Sequence, residues 1–358
     1  MPLEYYSKTK EWISKCGFND YYKVIYPRQT LTLPAPKGLD PPRWSQKCHF
    51  DEAFVATIPN GRLMTSCSYP VTPDNKRLLD VEYNCPYTET TLPAHEYYAK
   101  TVASVLWGWN LPHLNFDKQS STQNVYGHWF FDILPRFHLL ERRGIPIDYY
   151  VIGKLHYPFQ YESLKTLNIP MDKLIEVSKP DFHIQARMLV VPAVPFNLGK
   201  CPPWTSEYIG NGFKLNRKIH KKMEYERIYV SREDASARFV INEEEVMQLL
   251  TKKGFKKIVT SPMTMEEKVD IFSSARVVIA PFGSANINVA FCEPGATFIE
   301  LAPNTINDNY FWKISCHANV DYYELLCDVE QPPKAHSGVD NIVVDLAKLE
   351  RYLQMIKI

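Results

Sequence analysis

The chain lacks the sequence marks of several common chemistries. No Asp-x-Asp triplet occurs in its 358 residues, so a frequent sign of a carboxylate-held divalent cation is missing. Its eight cysteines include no C-x-x-C pair, which removes the simplest zinc-ribbon and redox motifs and predicts buried free thiols. No N-x-[ST] acceptor is present, which counts against a secretory-pathway lumen. No apolar run reaches the length of a membrane span, and the opening MPLEYYSKTKEWISKCG mixes charges with aromatics where a signal peptide has a continuous apolar core. The expectation is a soluble, unexported, cytoplasmic chain without a transmembrane segment. Charge is also nearly absent as a net quantity. With 41 basic against 40 acidic residues, no global field gathers nucleic acid or an anionic membrane, and any anion must be held by a local site.

What is present points to an α/β protein of two domains, since 358 residues exceed what one hydrophobic core usually organises. The first fifty residues are proline-rich and weakly periodic. Runs Ala53 to Ile58 and Arg62 to Cys67 flank Pro59-Asn60-Gly61, a strong short hairpin signal. In GHWFFDILPRFHLLERRG, Phe130, Ile133, Leu134, Phe137 and Leu140 recur at helical spacing, Pro135 predicts a kink and Gly144 a stop. Strands and a helix alternate from Tyr149 to Val191. The stretch from Cys201 to Tyr225 is polar and then basic, and it places the boundary: residues 1–220 as a first domain, 221–340 as a second, and 341–358 as a closing helix.

The second half is clearer, with strands at Arg227 to Val230, Lys256 to Val259, Val277 to Ala280 and Thr297 to Leu301. Helices at Glu243 to Lys253, Met265 to Ala275 and Ala285 to Phe291 lie between them, which implies a parallel, doubly wound sheet. Asn242 with Glu245 and Thr264 with Glu267 have capping-box spacing.

In such a sheet Gly283 and Ser284 stand at the carboxyl edge ahead of a helix, where free amides receive phosphate, unless the turn is an ordinary connection that needs glycine. Glu300 ends the next strand and could accept ribose hydroxyls or simply face solvent. Arg232 and Arg238 follow the first strand, and two guanidiniums on one loop can neutralise a diphosphate that a metal would otherwise hold. In the first domain His128, Asp132 and Arg136 step by four along the face opposite the apolar stripe, so Asp132 can orient His128 as a general base, or the pair can be a helix-end ornament. Gly210-Asn211-Gly212 starts like a dinucleotide fingerprint, but Leu215 takes the third glycine position and no apolar strand precedes it.

Three stretches, NVYGHWFFDILPRFHLLE, RIYVSREDASARFVINEEEV and ARVVIAPFGSANINVAFCEPGATFIEL, together resemble glycosyltransferase family 61 (DUF563), which includes bacterial capsular polysaccharide proteins and plant xylan pentosyltransferases. The resemblance implies a GT-B fold, with two facing Rossmann-like domains and a cleft, the acceptor side in residues 1–220, the nucleotide sugar in 221–340 and the helix 341–358 crossing back to the first. It also implies inverting, metal-independent transfer from a nucleotide sugar, by default a uridine diphosphate sugar, to a glycan acceptor in polysaccharide biosynthesis. It supports His128, Arg232, Arg238, Gly283, Asn288 and Glu300, and implies no cofactor beyond the donor. One position departs: the family's histidine before the loop glycine is Phe282 here, with Asn286 placed to take over a polar contact. That departure motivates a catalytically silent nucleotide-sugar or glycan-binding protein as the alternative, beside a GT-B-like pyruvyl transferase.

Overall fold

A computed structural model describes residues 4–65, 68–82, 94–108, 124–177, 182–194, 199–216, 218–332 and 339–358. The chain is mixed α/β and divides into two compact units: Met1–Gln29 with His49–Tyr208, and Thr30–Cys48 with Ile209–Ile358. No helix among the described residues is long and apolar enough to cross a membrane.

These units differ from the expected domains in three respects. The division falls between Tyr208 and Ile209, inside the helix Pro203–Leu215, which is within the stretch Cys201 to Tyr225 but ahead of residue 220. Residues 30–48 belong to the second unit. The terminal helix Leu346–Met355 does not cross back to the first unit: Leu349, Tyr352 and Leu353 are buried with Tyr229, Val246 and Leu250 in the second unit's core. Its amphipathic stripe explains the burial. Tyr352 also explains the strap at residues 30–48. Its hydroxyl accepts from Leu39 N at 3.0 Å, and a Cβ at Gly38 (φ +135°) would meet it at 2.6 Å. Only glycine passes so close in that left-handed backbone.

In the first unit the parallel strands His183–Pro192, Glu96–Ser104, Tyr149–Gly153 and Leu174–Val177 lie side by side in that order. Strands Ala53–Pro59 and Arg62–Met64 both pair antiparallel with His183–Pro192, so the expected hairpin around Asn60-Gly61 is instead a bulge in one line of chain. Asn60 adopts φ +52° and donates to Arg187 O at 2.9 Å, while a Cβ on Gly61 would meet Leu189 Cβ at 2.9 Å. The Asn-Gly signal was a backbone signal, and a bulge uses it as well as a turn does.

The helix following strand Glu96–Ser104 has three parts: Tyr126–His128, a π turn Trp129–Ile133 and the α-helix Leu134–Arg143, which ends at Gly144 with φ +74°. Leu134 N donates to Trp129 O, one residue further back than in an α-helix. The cause is Pro135, which has no N–H and whose ring excludes the carbonyl of residue 131, so the strain predicted as a kink is taken up as a widened turn.

The second unit's sheet has the order Lys256–Ile258, Arg227–Val230, Val277–Pro281, Thr297–Pro303, Asp321–Val329, all parallel, with the short antiparallel Ile342–Val343 at the edge. Winding therefore reverses between Arg227–Val230 and Val277–Pro281. Thr264 and Glu267 form the expected capping box before Met265–Ser274. Asn242 does not cap its helix, because its side chain bonds Val344 N and O, each at 2.9 Å. Gly210, the false fingerprint glycine, sits within a helix, where its missing Cβ admits Ala290 O.

Candidate active site

The loops after Arg227–Val230 and Val277–Pro281 leave the sheet at the reversal of winding, the place where open α/β sheets bind ligands. They bring Arg232, Arg238 and Gly283 together. A Cβ on Gly283 would fall inside the Arg232 guanidinium, so this position needs glycine for space, its extended φ of 173° being open to any residue. Arg232 donates from Nη2 to Ala237 O at 3.2 Å and makes no ion pair among the described residues. Arg238 likewise has no ion pair there. It is held at φ +61°, a backbone state costing a non-glycine residue roughly 1–2 kcal/mol, and its guanidinium lies 5.4 Å from the Phe282 ring centroid.

Nearby acids do not neutralise this pair. Glu243 accepts from Tyr229 Oη at 2.9 Å, Ser231 Oγ at 2.8 Å and Lys257 Nζ at 2.6 Å; Glu233 binds the same Lys257 at 2.5 Å. Burial, then the charge of Arg238, depresses the Arg232 pKa to about 10, and burial lowers that of Arg238. Both Nε atoms are buried without a hydrogen-bond partner among the described residues. Asp234 acts on Arg232 and Asp308 on Arg238 through space, but neither forms an ion pair with its arginine among the described residues, so the two desolvated guanidiniums are left with unused capacity for an anion.

Phe282, where the resemblance led one to expect histidine, is buried against Tyr310 and Phe311 at 5.8 and 5.3 Å and lies under Arg238. It is a platform for one of the two arginines. Ser284 is half-buried at the start of the 3₁₀ segment Ser284–Phe291, which replaces the α-helix expected there. Asn288 is fully buried within that segment and has no surface to offer a ligand.

Glu300 requires a correction. It is not at a strand end open to ribose hydroxyls but in the middle of Thr297–Pro303, 2 % exposed. Asn286 Nδ2 donates to Oε1 at 3.1 Å and Tyr322 Oη to Oε2 at 2.6 Å. Asn286 Nδ2 also reaches Pro281 O at 3.1 Å, so Glu300 anchors the turn 281–286 from below. Burial, with Glu324 beside it, raises its pKa to about 8. The strap contributes Arg43, whose fork grips Glu324 through Nε (3.2 Å) and Nη2.

In the first unit His128 Nδ1 lies 2.8 Å from Asp132 Oδ2, the ring side chain 35 % exposed and the carboxylate sealed. The expected solvent face is absent, since Asp132 and Arg136 are as buried as the apolar stripe. Arg136 donates to Leu106 O and, at 3.1 Å, to Pro192 O, the residues at and beyond the ends of two neighbouring parallel strands. Burial raises the Asp132 pKa against the pull of His128 and then Arg136, and Oδ1 has no partner. Trp107 packs against His128 with ring centroids 5.0 Å apart and planes tilted by 37°, a contact no local motif announced. With Nδ1–H committed to the carboxylate, the ring presents Nε2 as an acceptor for a proton.

The glycosyltransferase 61 family model matches residues 126–299, from the start of the His128 helix to the strand that carries Glu300. Residues 126–299 are a glycosyltransferase family 61 domain. The chain is accordingly a glycosyltransferase, and the domain takes in His128, Asp132, Arg232, Arg238 and Gly283 while ending one residue short of Glu300. No curated protein matches the chain.

Proposed function

We propose that this glycosyltransferase moves a sugar from a nucleoside diphosphate sugar, a uridine diphosphate sugar by default, to a saccharide hydroxyl, with inversion and without a metal ion. The observation that carries the reading is the pair Arg232 and Arg238, largely buried at the reversal of the parallel sheet, Arg232 against Gly283, with no ion pair to either among the described residues. A diphosphate supplies the charge they lack, and the same guanidiniums stabilise it as it leaves, the work a divalent cation performs elsewhere. His128, oriented by Asp132, accepts the proton of the attacking hydroxyl. Displacement of the nucleoside diphosphate by that hydroxyl forms the new glycosidic bond in one step and inverts the anomeric carbon. A GT-B arrangement and a role in polysaccharide biosynthesis belong to this proposal through the family.

The test is calorimetry with uridine diphosphate alongside initial rates with a uridine diphosphate sugar, in excess chelator. Binding and turnover persist with chelator, and Arg232→Ala lowers both, because the guanidinium holds the diphosphate before and within the transition state. Loss of activity on chelation with recovery in manganese would overturn the metal-free reading, and undisturbed binding in Arg232→Ala the diphosphate site.

A further inference from the structure

The first unit contains a cavity of about 330 Å³, at the small end of the range of roughly 300–1,000 Å³ usual for ligand sites. One wall is Ala193 and Val194, which leave the end of strand His183–Pro192, and Ala193 N is tied to Phe54 O at 2.8 Å. The neighbouring Pro192 carbonyl accepts from Arg136, on the helix that carries His128 and Asp132. Cavity wall and catalytic helix are thus fixed to the same strand end. Tyr22 and Phe54, stacked at 4.5 Å, line it with flat carbon surface of the kind sugar rings lie against.

Its charged lining is unequally committed. All three carboxylates have partners from the protein: Asp51 faces Arg28 at 3.5 Å and Lys200, Glu52 accepts from Tyr22 Oη at 2.7 Å, and Asp80 accepts from Thr9 N and Oγ1 at 2.9 and 2.6 Å. Lys8 and Lys10 line the same cavity without a direct ion pair among the described residues, Lys8 acting on Asp51 and Asp80 only through space. Lys8, Lys10, Arg28 and Lys200 outnumber Asp51, Glu52 and Asp80 in the lining, and this excess of positive charge favours an anion over a neutral hydroxyl cluster.

We infer that this cavity holds the acceptor, as a saccharide unit bearing a carboxylate or phosphate, with Lys8 and Lys10 contacting the anionic group. The inference rests on the proposed sugar transfer for the word acceptor; the binding itself does not. The experiment titrates the full chain with glucuronic acid, glucose 6-phosphate and glucose by calorimetry, and with uridine diphosphate in parallel. The expected result is that one of the two anionic sugars binds on the order of tenfold tighter than glucose, its identity naming the anion. The double variant Lys8→Ala/Lys10→Ala removes that preference and leaves uridine diphosphate affinity unchanged, which also shows that the variant is folded. Equal binding of all three sugars, no saturable binding of any, or a preference that survives the double variant would overturn the inference. If uridine diphosphate fails to bind while an anionic sugar does, the proposed transfer falls and the cavity stands as an anionic-sugar site.

Discussion

Asp132 and Glu300 are both carboxylates sealed inside the chain, one in each unit, and burial raises the pKa of both. Their partners separate them. Asp132 bonds a histidine ring that is about a third exposed, so its charge is transmitted to a nitrogen that substrate can reach. Glu300 bonds Tyr322 and Asn286, both buried, and its influence ends in the backbone of a turn. A perturbed buried acid thus marks a functional site only when something it touches faces outward. In the first unit the acid orients a partly exposed ring, the arrangement the proposed proton transfer uses, and in the second it anchors the turn that carries Gly283.

The comparison breaks most readily at His128. His128→Ala lowers turnover by about 10²–10⁴, the range of a lost general base, and leaves nucleoside diphosphate affinity intact because donor binding belongs to the other unit's arginines. Asp132→Asn falls in the same direction by less, with affinity again unchanged. Initial rates and calorimetry on the same samples decide it. Normal turnover in His128→Ala would return the pair to a helix-end ornament.

Next in size is Gly283→Ala. The added methyl group occupies the space of the Arg232 guanidinium, while the extended backbone accepts alanine without strain. Nucleoside diphosphate affinity is expected to drop about 10- to 150-fold, the equivalent of one charge-assisted hydrogen bond, with circular dichroism and melting temperature near those of the parent. Unaltered affinity would mean that Arg232 does not hold the diphosphate where it packs now.

How far these sites could be read beforehand follows from the range of the interactions that make them. Four strands of the second unit, from Arg227–Val230 to Thr297–Pro303, the Thr264 cap and the loop carrying Arg232 and Arg238 depend on neighbours a few residues away, and local periodicity suffices to read them. The His128–Asp132 bond is an i to i+4 contact and was legible for the same reason, although the π turn and the burial of Arg136 were not, since Leu106 and Pro192 supply them. The strap at residues 30–48 was illegible because Gly38 meets Tyr352, and Arg43 meets Glu324, about 280 to 310 positions later. Glu300 was misplaced for a related reason. Its strand was extended in sequence only to Leu301, and the strand that seals it, Asp321–Val329, carries no alternation strong enough to read.

The smallest effect on catalysis, and the sharpest on the comparison, comes from Glu300→Gln. If Glu300 anchors the turn as a neutral acid near pH 7, glutamine keeps its shape and, through its one oxygen, the bond from Asn286, while its amide nitrogen donates to Tyr322 Oη in place of accepting from it, and turnover changes little; a ribose contact through a charged carboxylate would instead lose affinity. The variant should also change how stability depends on pH. The folded pKa of about 8 lies above the ordinary 4.5, so between these values the folded chain keeps a proton that the unfolded chain has released. Stability from this group is therefore complete below about pH 4.5, declines as pH rises, and is lost by about pH 8, at roughly 1.4 kcal/mol for each unit of separation as an upper bound. Glutamine cannot ionise and removes that slope. Urea unfolding at pH 5, 7 and 9 at constant ionic strength should show parent and variant close together at pH 5 and the variant more stable by a few kcal/mol at pH 9. Parallel curves would mean that Glu300 is already ionised in the fold, and it would then stand with Asp132 as an acid whose charge, rather than whose shape, is what its neighbours use.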